Sequence, residues 1–191
     1  MKSKLFIIDG PSGSGKDYLI DEVIKKQPNL IKAINYTDRK PRPDENKNAY
    51  HFVSHDEFDR LIKSGEIFER EITREDGVRY GSSKKEVIEN LNQGKNIIKV
   101  TGVIRWDYFK SQFQENAVFI FIKPSDINAL KERLRNKYPG ISENEIEIRF
   151  QNAFDKKKLA KYDFVVENPE GHPEQAINKI IDIISEQTEV K

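Results

Sequence analysis

The chain has 191 residues, 36% of them hydrophobic and 34% charged, which is the length of one domain and the composition of a soluble globular protein. Its 33 basic and 32 acidic side chains leave a net charge of +1, so the totals do not predict a nucleic-acid partner. The lack of cysteine excludes disulfides and thiolate sites, and no apolar run approaches the ~20 residues that a bilayer requires, so we predict a cytoplasmic protein with no membrane partner.

The first predicted elements are a strand, a glycine-rich loop and a helix. Residues 5–8 form an apolar run of the kind found in strands that are buried on both faces. Residues 16–26 place four apolar side chains on one stripe of a helix. A strand, a loop and a helix in this order are the opening unit of a parallel α/β domain.

The loop between them carries a phosphate-binding motif. Its sequence, Gly-Pro-Ser-Gly-Ser-Gly-Lys, fits G-x-x-x-x-G-K. Glycines let the backbone curl so that successive N–H groups point at a polyphosphate, and the helix N-terminus and the lysine add positive charge. We therefore predict that the phosphates of ATP bind at Gly10, Pro11, Ser12, Gly13, Ser14, Gly15, Lys16 and Asp17.

Asp17 occupies the position at which the motif asks for serine or threonine, whose hydroxyl binds Mg²⁺. A carboxylate is also a hard oxygen ligand, so Asp17 is a candidate ligand of Mg²⁺. The alternative is that Asp17 acts only as an anion at the positive end of the helix. The sequence leaves both interpretations open.

The rest of the chain predicts a polar loop, a small β-rich region and a return to alternating strands and helices. The loop is predicted at 35–48 because this stretch is polar and broken by prolines. Ser54 and Glu57 predict a capping box at the start of a helix. The later strands are predicted at 51–53, 66–73, 78–81, 96–100, 117–122 and 164–166, and the later helices at 56–64, 83–92, 125–136, 143–161 and 173–186.

A second anion site is predicted around two arginines in the proline-containing loop. Arg39 and Arg42 can offer two guanidinium groups to one phosphate at a low entropic cost. The hydroxyls of Tyr50 and Tyr80 can add hydrogen bonds to phosphate oxygens. The alternatives are a solvated basic loop and two half-buried aromatic strand residues.

Taken together, these motifs resemble the guanylate kinase family from Phe6 to Asn168. The phosphate loop has the usual sequence of that family, and Thr-Asp-Arg-Lys-Pro-Arg-Pro at 37–43 resembles its acceptor loop. Tyr-His-Phe-Val-Ser, Glu-Ile-Phe-Glu and Tyr-Gly-Ser follow at family-like distances. The resemblance implies a P-loop NTPase fold with three α/β/α layers around a central parallel sheet, a small β-rich acceptor-binding insertion and a helical lid.

The resemblance also implies how one domain over 1–191 is divided and which residues act. The regions are a core at 1–34, 83–124 and 162–191, an acceptor-binding region at 35–82 and a lid at about 125–161. The catalytic residues would be Lys16, Arg39 and Arg149, the last on the lid, while Lys137 stands near the position of a second lid arginine. Asn168 would lie near the ATP base, and the acceptor would contact Arg39, Arg42, Tyr50, Glu69, Tyr80 and Ser82, with Glu69 and Ser82 on the guanine side.

One stretch departs from the family pattern. Guanylate kinases carry an acidic pair at the end of the strand that follows Gly94, whereas this chain reads Lys-Val-Thr-Gly at 99–102. The small hydroxyl residues just before the arginine loop are replaced by Asn35 and Tyr36. The residues that hold the phosphate are thus retained, while those that recognise the base are partly changed.

The predicted function is transfer of the terminal phosphate of ATP, with Mg²⁺, to GMP or dGMP by a monomer or homodimer. Asp17 and the missing acidic pair also resemble the ribose 1,5-bisphosphate phosphokinases, so a different phosphorylated acceptor is one alternative. A non-catalytic guanylate-kinase-like binding module is the other. The intact Lys16 disfavours the second alternative.

Overall fold

A computed structural model describes residues 3–41, 45–73, 77–101, 106–155 and 159–189. The side chains of 69–73, 107, 137 and 152 lie outside this description. Nine strands are described: β1 (Leu5–Asp9), β2 (Leu30–Ala33), β3 (Asn35–Thr37), β4 (His51–Phe52), β5 (Ile67–Thr73), β6 (Val78–Ser83), β7 (Asn96–Val100), β8 (Ala117–Pro124) and β9 (Phe164–Asn168). The described α-helices are α1 (Lys16–Lys26), α2 (His55–Lys63), α3 (Asn90–Asn92), α4 (Trp106–Phe113), α5 (Ile127–Lys137), α6 (Glu143–Ala153) and α7 (Pro173–Thr188).

The central sheet contains five parallel strands in the order β2-β7-β1-β8-β9. Its middle strand, β1, is apolar at four successive positions because both faces of the sheet are covered. Parallel pairing aligns the carboxyl ends of β1, β7 and β8, so the loops that follow them lie along one edge. This is the edge at which open α/β sheets bind ligands.

Helices cover both faces of this sheet. On one face, α1 and α7 contribute Leu19, Ile20, Ile180 and Ile183 to a cluster that also contains Phe6 of β1. On the other face, Val87 and Phe109 pack against Leu5, Ile7 and Phe119. The predicted α/β class with a central parallel sheet is therefore confirmed. Within the described residues, no helix is both long and apolar enough to cross a membrane.

A second, four-stranded sheet lies between β2 and β7 in the chain and has the order β4-β3-β6-β5. We call it the acceptor sheet, because it lies in the region that is predicted to bind the acceptor. One of its faces packs on α2, where Phe58, Leu61 and Ile67 are buried together with part of Tyr36. In antiparallel pairs, directly opposite residues lie on the same face, so Asn35 and Ser82 share a face. Tyr36 alternates with Asn35 along β3, so this shared face is the one turned away from α2.

The helical segment that joins β8 to β9 has a small core of its own. Leu130 and Leu134 of α5 pack against Ile146 and Phe150 of α6. The side chain of Asp126 caps α5 by accepting from two backbone N–H groups at 2.8 and 3.1 Å. The hydroxyl of Ser142 caps α6 by accepting from the N–H of Glu145 at 3.1 Å. This separate cluster means that the two helices are stabilised largely by each other.

Two segments near the acceptor sheet differ from the sequence predictions. Residues 35–37, predicted to belong to a loop, form β3, because their backbone pairs with both β4 and β6 despite a polar composition. The strand β2 was not predicted either. Pairing with distant strands supplied the hydrogen bonds in both cases, and local patterns do not reveal such pairing.

Three predicted helices also differ in detail. The helix predicted at 83–92 contains a π-helical turn at Lys85–Glu89 before α3. The helix predicted at 143–161 ends at Ala153. At the start of α2, Ser54 Oγ accepts from the N–H of Glu57 at 3.2 Å, but the Glu57 carboxylate binds Arg60. Only half of the predicted capping box is therefore formed, because an ion pair competes for the carboxylate.

Candidate active site

The glycine loop follows the carboxyl end of β1 and leads directly into α1. Gly13 and Gly15 have φ values of +86° and +82°, which L side chains rarely adopt. Space is also restricted, since a Cβ atom on Gly13 would lie 2.9 Å from Leu130 Cδ1, and one on Gly15 would lie 2.8 Å from Asn168 Nδ2. Glycine is required at these two positions, because both the backbone conformation and the neighbouring side chains exclude a larger residue.

The end of the glycine loop carries charged residues of both signs. Lys16 Nζ lies 3.4 Å from the carbonyl oxygen of Pro11, so the side chain folds back over the loop. The hydroxyl of Ser14 is buried inside the loop and has no hydrogen-bond partner in the described part of the chain. Asp17 is exposed in the first turn of α1. The loop thus combines a cation, free helix N–H groups and an exposed carboxylate.

A cleft of about 550 Å³ opens beside the loop. Besides the loop itself, Arg133 and residues 168–171 line it. Asn168 Nδ2 donates to the carbonyl oxygen of Ser14 at 3.0 Å, while its Oδ1 is buried and has no hydrogen-bond partner among the described residues. The structure therefore brings Asn168, Lys16 and the loop together around a volume that can hold part of a nucleotide.

Two residues of this cleft were missed at the sequence level. Arg133 donates to the carbonyl oxygen of Gly13 at 3.0 Å and forms an ion pair with Glu170. Glu170 follows the carboxyl end of β9, and that position at the binding edge of the sheet was a usable signal. Arg133 had no such signal, because α5 carries several basic residues and only the tertiary structure selects this one.

Arg39 is held in an aromatic and acidic environment on the acceptor sheet. Its Nε donates to the hydroxyl of Tyr80 at 3.0 Å, and its guanidinium lies 5.1 Å from the ring centre of Tyr50 and 5.3 Å from that of Phe52. Its Nη1 and Nη2 face the carboxylate of Glu45 at 2.6 and 2.5 Å. The hydrogen bonds from Arg39 to Glu45 raise the pKa of Arg39, although burial acts in the opposite direction.

This environment fixes the guanidinium in place before any acceptor binds. Glu45, which was not identified from the sequence, engages the same two nitrogens that a phosphate would use. An acceptor phosphate must therefore share or displace that carboxylate. Arg42, predicted to act beside Arg39, lies outside the described residues.

Tyr50 connects the acceptor sheet electrostatically to the phosphate loop. Burial raises its pKa to about 12, and the negative charge of Asp17 is the next largest cause. The ring of Tyr50 also lies 5.4 Å from that of Tyr80. Because Asp17 directly follows Lys16, this effect links the arginine site to the end of the phosphate loop.

Further along the acceptor sheet, three residues belong to one row of the backbone register. Asn35 of β3 is opposite Ser82 of β6, and Ser82 is opposite Glu69 of β5. Ser82 is fully buried. The structure thus places the predicted positions Ser82 and Glu69 side by side along the backbone, while the side chain of Glu69 lies outside the description.

Arg149 lies within the helical segment rather than along the cleft. Its guanidinium pairs with Glu145 and lies 4.9 Å from the ring centre of Tyr138. Its Nη1 is buried and has no hydrogen-bond partner among the described residues. In this arrangement Arg149 contacts other parts of the predicted lid, and its role at the transferring phosphate stays a prediction.

An acid that the sequence interpretation overlooked lies directly before the phosphate loop. Asp9 Oδ1 accepts from the N–H of Gly10 at 2.7 Å, and the hydroxyl of Tyr162 donates to Asp9 Oδ2. Burial raises the pKa of Tyr162, and the charge and the hydrogen bond of Asp9 add to that effect. Asp9 therefore ties the start of the loop to the segment that returns from the helices.

Comparisons by family model, by sequence and by structure each match this chain to guanylate kinases. The family model described as Guanylate kinase matches residues 2–187. A guanylate kinase of Thermotoga maritima is 31% identical over 193 residues, covering 100% of this chain and 90% of that protein. One from Fusobacterium nucleatum is 34% identical over 182 residues, covering 94% and 95%. The crystal structure of guanylate kinase from Anaplasma phagocytophilum aligns with a TM-score of 0.69 and 25% identity over 98% of this chain and 88% of that one.

Proposed function

The chain belongs to the guanylate kinase family, and from that premise we propose that it transfers the terminal phosphoryl group of ATP to GMP or dGMP. What supports the proposal is the position of Tyr50, which contacts Arg39 and whose pKa is raised in part by the charge of Asp17 beside the phosphate loop. Two anion-binding elements would thus lie near each other. Phosphoryl transfer requires this arrangement of donor and acceptor.

On the donor side, we propose that the loop N–H groups and Lys16 hold the phosphates of ATP. The rest of the nucleotide would lie in the cleft beside Asn168 and Arg133. The buried Asn168 Oδ1 can accept a hydrogen bond from a bound nucleotide. Because Asn168 also donates to Ser14, nucleotide binding at this point would act directly on the loop.

On the acceptor side, Arg39, Tyr50 and Tyr80 hold the phosphate of GMP, together with Arg42. An oxygen of that phosphate attacks the γ-phosphorus of ATP, and a new P–O bond forms. The bond from the γ-phosphorus to its bridging oxygen breaks, and the electron pair remains on ADP. No general base is needed because the attacking oxygen is already ionised, so alignment and charge neutralisation supply the catalysis.

The donor set fits Mg²⁺, the ion that guanylate kinases generally use with ATP. An exposed carboxylate is a hard oxygen ligand of the kind that binds Mg²⁺ together with phosphate oxygens. We propose Asp17 as the protein ligand, because its exposed carboxylate adjoins Lys16. When bound, Mg²⁺ would neutralise charge on the β- and γ-phosphates.

The remaining predictions extend this proposal. We propose that 35–82 bind the acceptor, that about 125–161 close as a lid carrying Arg149, and that the core is formed by 1–34, 83–124 and 162–191. A cytoplasmic location and a monomeric or homodimeric state stay predictions from the sequence. Matches to guanylate kinases over the full chain do not favour a ribose 1,5-bisphosphate kinase or a non-catalytic module.

One assay tests the proposed activity. ADP formation from ATP and Mg²⁺ is measured with GMP, dGMP, AMP and ribose 1,5-bisphosphate as acceptors, and GMP or dGMP should be preferred. Lys16→Met should lower kcat by about 100-fold or more, because it removes the charge at the β- and γ-phosphates while retaining the side-chain length. Lys25→Met on the exposed side of the same helix is the matched control and should retain full activity. Turnover with the ribose bisphosphate alone would refute the proposal.

A further inference from the structure

The segment that leads back from the helices α5 and α6 to the central sheet contacts the start of the phosphate loop. Tyr162 lies in this segment, just before β9, and its hydroxyl donates a hydrogen bond to Asp9 Oδ2. Asp9 is the last residue of β1, and its other oxygen, Oδ1, accepts from the N–H of Gly10 at 2.7 Å. One carboxylate therefore connects Tyr162 to the first residue of the loop.

The ring of Tyr162 is held by aromatic neighbours from two elements of the core. Its centre lies 5.2 Å from that of Trp106 in α4, at an interplanar angle of 78°, and 5.1 Å from that of Phe121 in β8. Phe121 is buried and is the register partner of Asp9 in the neighbouring strand. Because partners in register lie on the same face of a sheet, a ring that packs on Phe121 brings its hydroxyl to Asp9.

The hydroxyl of Tyr162 stays protonated and therefore stays a hydrogen-bond donor. Burial raises its pKa, and the charge of Asp9 and the hydrogen bond to Asp9 raise it further. A carboxylate directly before an anion-binding loop repels phosphate unless its charge is compensated. Hydrogen bonds from Tyr162 and from the N–H of Gly10 supply part of this compensation.

The position of Gly10 affects the interior of the loop directly. A Cβ atom on Gly10 would lie 2.7 Å from the carbonyl oxygen of Ile122 and 3.0 Å from Ser14 Oγ. Gly10 is thus packed between β8 and the buried hydroxyl of Ser14, whose own N–H donates to the carbonyl oxygen of Pro11 at 3.1 Å. A displacement of Gly10 would therefore move the loop N–H groups that are proposed to hold the phosphates.

We propose that Tyr162 and Asp9 form a positioning pair for the phosphate loop, in which Tyr162 fixes the carboxylate of Asp9 and Asp9 fixes the N–H of Gly10. The loop is thereby preorganised for the phosphates of ATP. Both are positioning residues that act through Gly10 rather than by contact with the phosphates. The pair lies on the donor side, so it affects the binding of ATP and not that of the acceptor. This inference rests on the binding of ATP at the loop, which is part of the proposed function.

The test is the dissociation constant of ATP, measured by isothermal titration calorimetry with Mg²⁺ and without an acceptor. Tyr162→Phe retains the ring and removes the hydroxyl, so this constant should rise by about three- to tenfold, which corresponds to one hydrogen bond. The KM for GMP should stay within about twofold of the unaltered protein. Titration with EDTA in place of Mg²⁺ should give the same ratio, because the pair acts on the loop. A weakening that requires Mg²⁺ would indicate a role at the ion and overturn the inference.

Tyr108→Phe is the matched control, because the hydroxyl of Tyr108 donates to the carbonyl oxygen of Phe68 at 2.9 Å. It removes a partly buried tyrosine hydrogen bond of the same kind away from the loop. Thermal unfolding should therefore show a comparable loss of stability in both variants, whereas only Tyr162→Phe should weaken the binding of ATP. An equal weakening in both variants would mean that the role of Tyr162 is structural, and the inference would be overturned.

A double-mutant cycle tests whether Tyr162 acts through Asp9. Asp9→Ala removes the carboxylate and should raise the dissociation constant of ATP at least as much as Tyr162→Phe. Adding Tyr162→Phe to Asp9→Ala should cause no further change, because the hydroxyl then has no carboxylate to fix. Additive effects of the two substitutions would overturn the inference. Asp9→Ser, whose side chain is shorter by one bond, replaces Asp9→Ala if the latter does not fold.

The outcomes separate this inference from the activity on which it rests. If Tyr162→Phe leaves the dissociation constant of ATP unchanged, the inference is overturned and the proposed activity stands. If the unaltered protein binds ATP but does not phosphorylate GMP, the proposed function fails, and the dissociation constants of the variants still decide the inference. If the unaltered protein does not bind ATP, both fail.

Discussion

At the scale of single residues, Asp38 determines where the arginine loop begins. Its carboxylate is fully buried and accepts hydrogen bonds from the backbone N–H of Arg79 at 2.9 Å, from the Arg79 guanidinium and from His55 at 2.8 Å. Burial raises the pKa of Asp38, but these hydrogen bonds outweigh it and hold the pKa below its usual value. The residue that precedes Arg39 is thereby tied to β6.

We expect Asp38→Asn to lower the free energy of unfolding by about 2 kcal/mol at pH 7, because hydrogen bonds to a charged carboxylate are replaced by weaker ones. The contribution of Asp38 is present above the ordinary carboxyl pKa of about 4 and is lost as pH falls through the lower pKa of the folded state. The difference between the two proteins should therefore shrink below about pH 4. Urea unfolding from pH 3 to pH 7 measures it.

Asp182→Asn on the exposed side of α7 is the control for this change and should have little effect at either pH. A loss of stability in Asp38→Asn that is the same at pH 3 and pH 7 would contradict the ionised, hydrogen-bonded state of Asp38.

Single site residues could be predicted from the sequence where they belong to one contiguous motif. The phosphate loop could be predicted because its glycines and Lys16 are contiguous and the motif has a physical reason. The partners of Asp9 and Arg133 could not, since Tyr162 is 153 positions from Asp9 and Gly13 is 120 from Arg133. Such pairs depend on the path of the whole chain, about which a local pattern carries no information.

At the scale of elements, Gly81 allows β6 to pack closely on α2. A Cβ atom at this position would lie 2.5 Å from Ile67 Cγ2 and 3.3 Å from Phe58 Cζ. The methyl group of a β-branched residue has little freedom to move away. The two neighbours of Gly81, Tyr80 and Ser82, face the opposite side, towards the proposed acceptor site.

Gly81→Ala should therefore lower the free energy of unfolding by about 1–3 kcal/mol through overpacking. It should also raise the KM for GMP, because displacement of β6 moves Tyr80 and Ser82, while the KM for ATP stays unchanged. Urea unfolding and steady-state kinetics with each substrate varied measure the two effects.

Gly94→Ala separates steric crowding from backbone strain in the same experiment. Gly94 has open space around its would-be Cβ atom but a φ of +79°, so alanine there should cost about 1 kcal/mol and leave the KM for GMP unchanged. Equal effects of the two substitutions on that KM would contradict a specific role for packing between β6 and α2.

Strands with a clear hydrophobic pattern were predicted from the sequence, whereas strands that depend on pairing with distant parts of the chain were missed. The strands β1, β7 and β8 were identified because they are buried on both faces and read as continuous apolar runs. The strand β3 was assigned to a loop because Asn35 and Tyr36 do not form such a run. The residues expected on the guanine side, Glu69 and Ser82, were consequently predicted by family resemblance rather than by their local pattern.

At the scale of the whole molecule, the proposed function depends on how the central sheet and the acceptor sheet are placed relative to each other. The acceptor sheet is inserted in the chain between β2 and β7 of the central sheet. The central sheet positions the phosphate loop, and the acceptor sheet positions Arg39, Tyr50 and Tyr80. Among the described contacts near the site, hydrogen bonds of Asn35 with Lys99 and with Val100 join the two sheets. We expect the charge of Asp17 to act on Tyr50, and a measurement of this effect tests how close the two sheets lie in solution.

Asp17→Asn should lower the pKa of Tyr50, because a neighbouring negative charge disfavours the phenolate and its removal relieves that effect. The pKa should fall from about 12 towards, but not to, the ordinary value of about 10, since burial is the larger cause and persists. NMR titration of labelled tyrosine rings between pH 9 and about pH 11.5 measures the shift, and Tyr50→Phe assigns the signal. Asp21→Asn, one turn further along α1 and paired with Lys32, is the control and should leave the pKa of Tyr50 unchanged.

The same variant distinguishes the two interpretations of Asp17. If Asp17 binds Mg²⁺ as proposed, Asp17→Asn should raise the Mg²⁺ concentration for half-maximal ADP formation by about tenfold, because a neutral amide is a weaker ligand than a carboxylate. If Asp17 serves only as an anion at the helix N-terminus, that concentration should not change, and thermal unfolding should show a small loss of about 0.5 kcal/mol. A lowered Tyr50 pKa with an unchanged Mg²⁺ requirement would place Asp17 at the cleft and refute its role as a metal ligand.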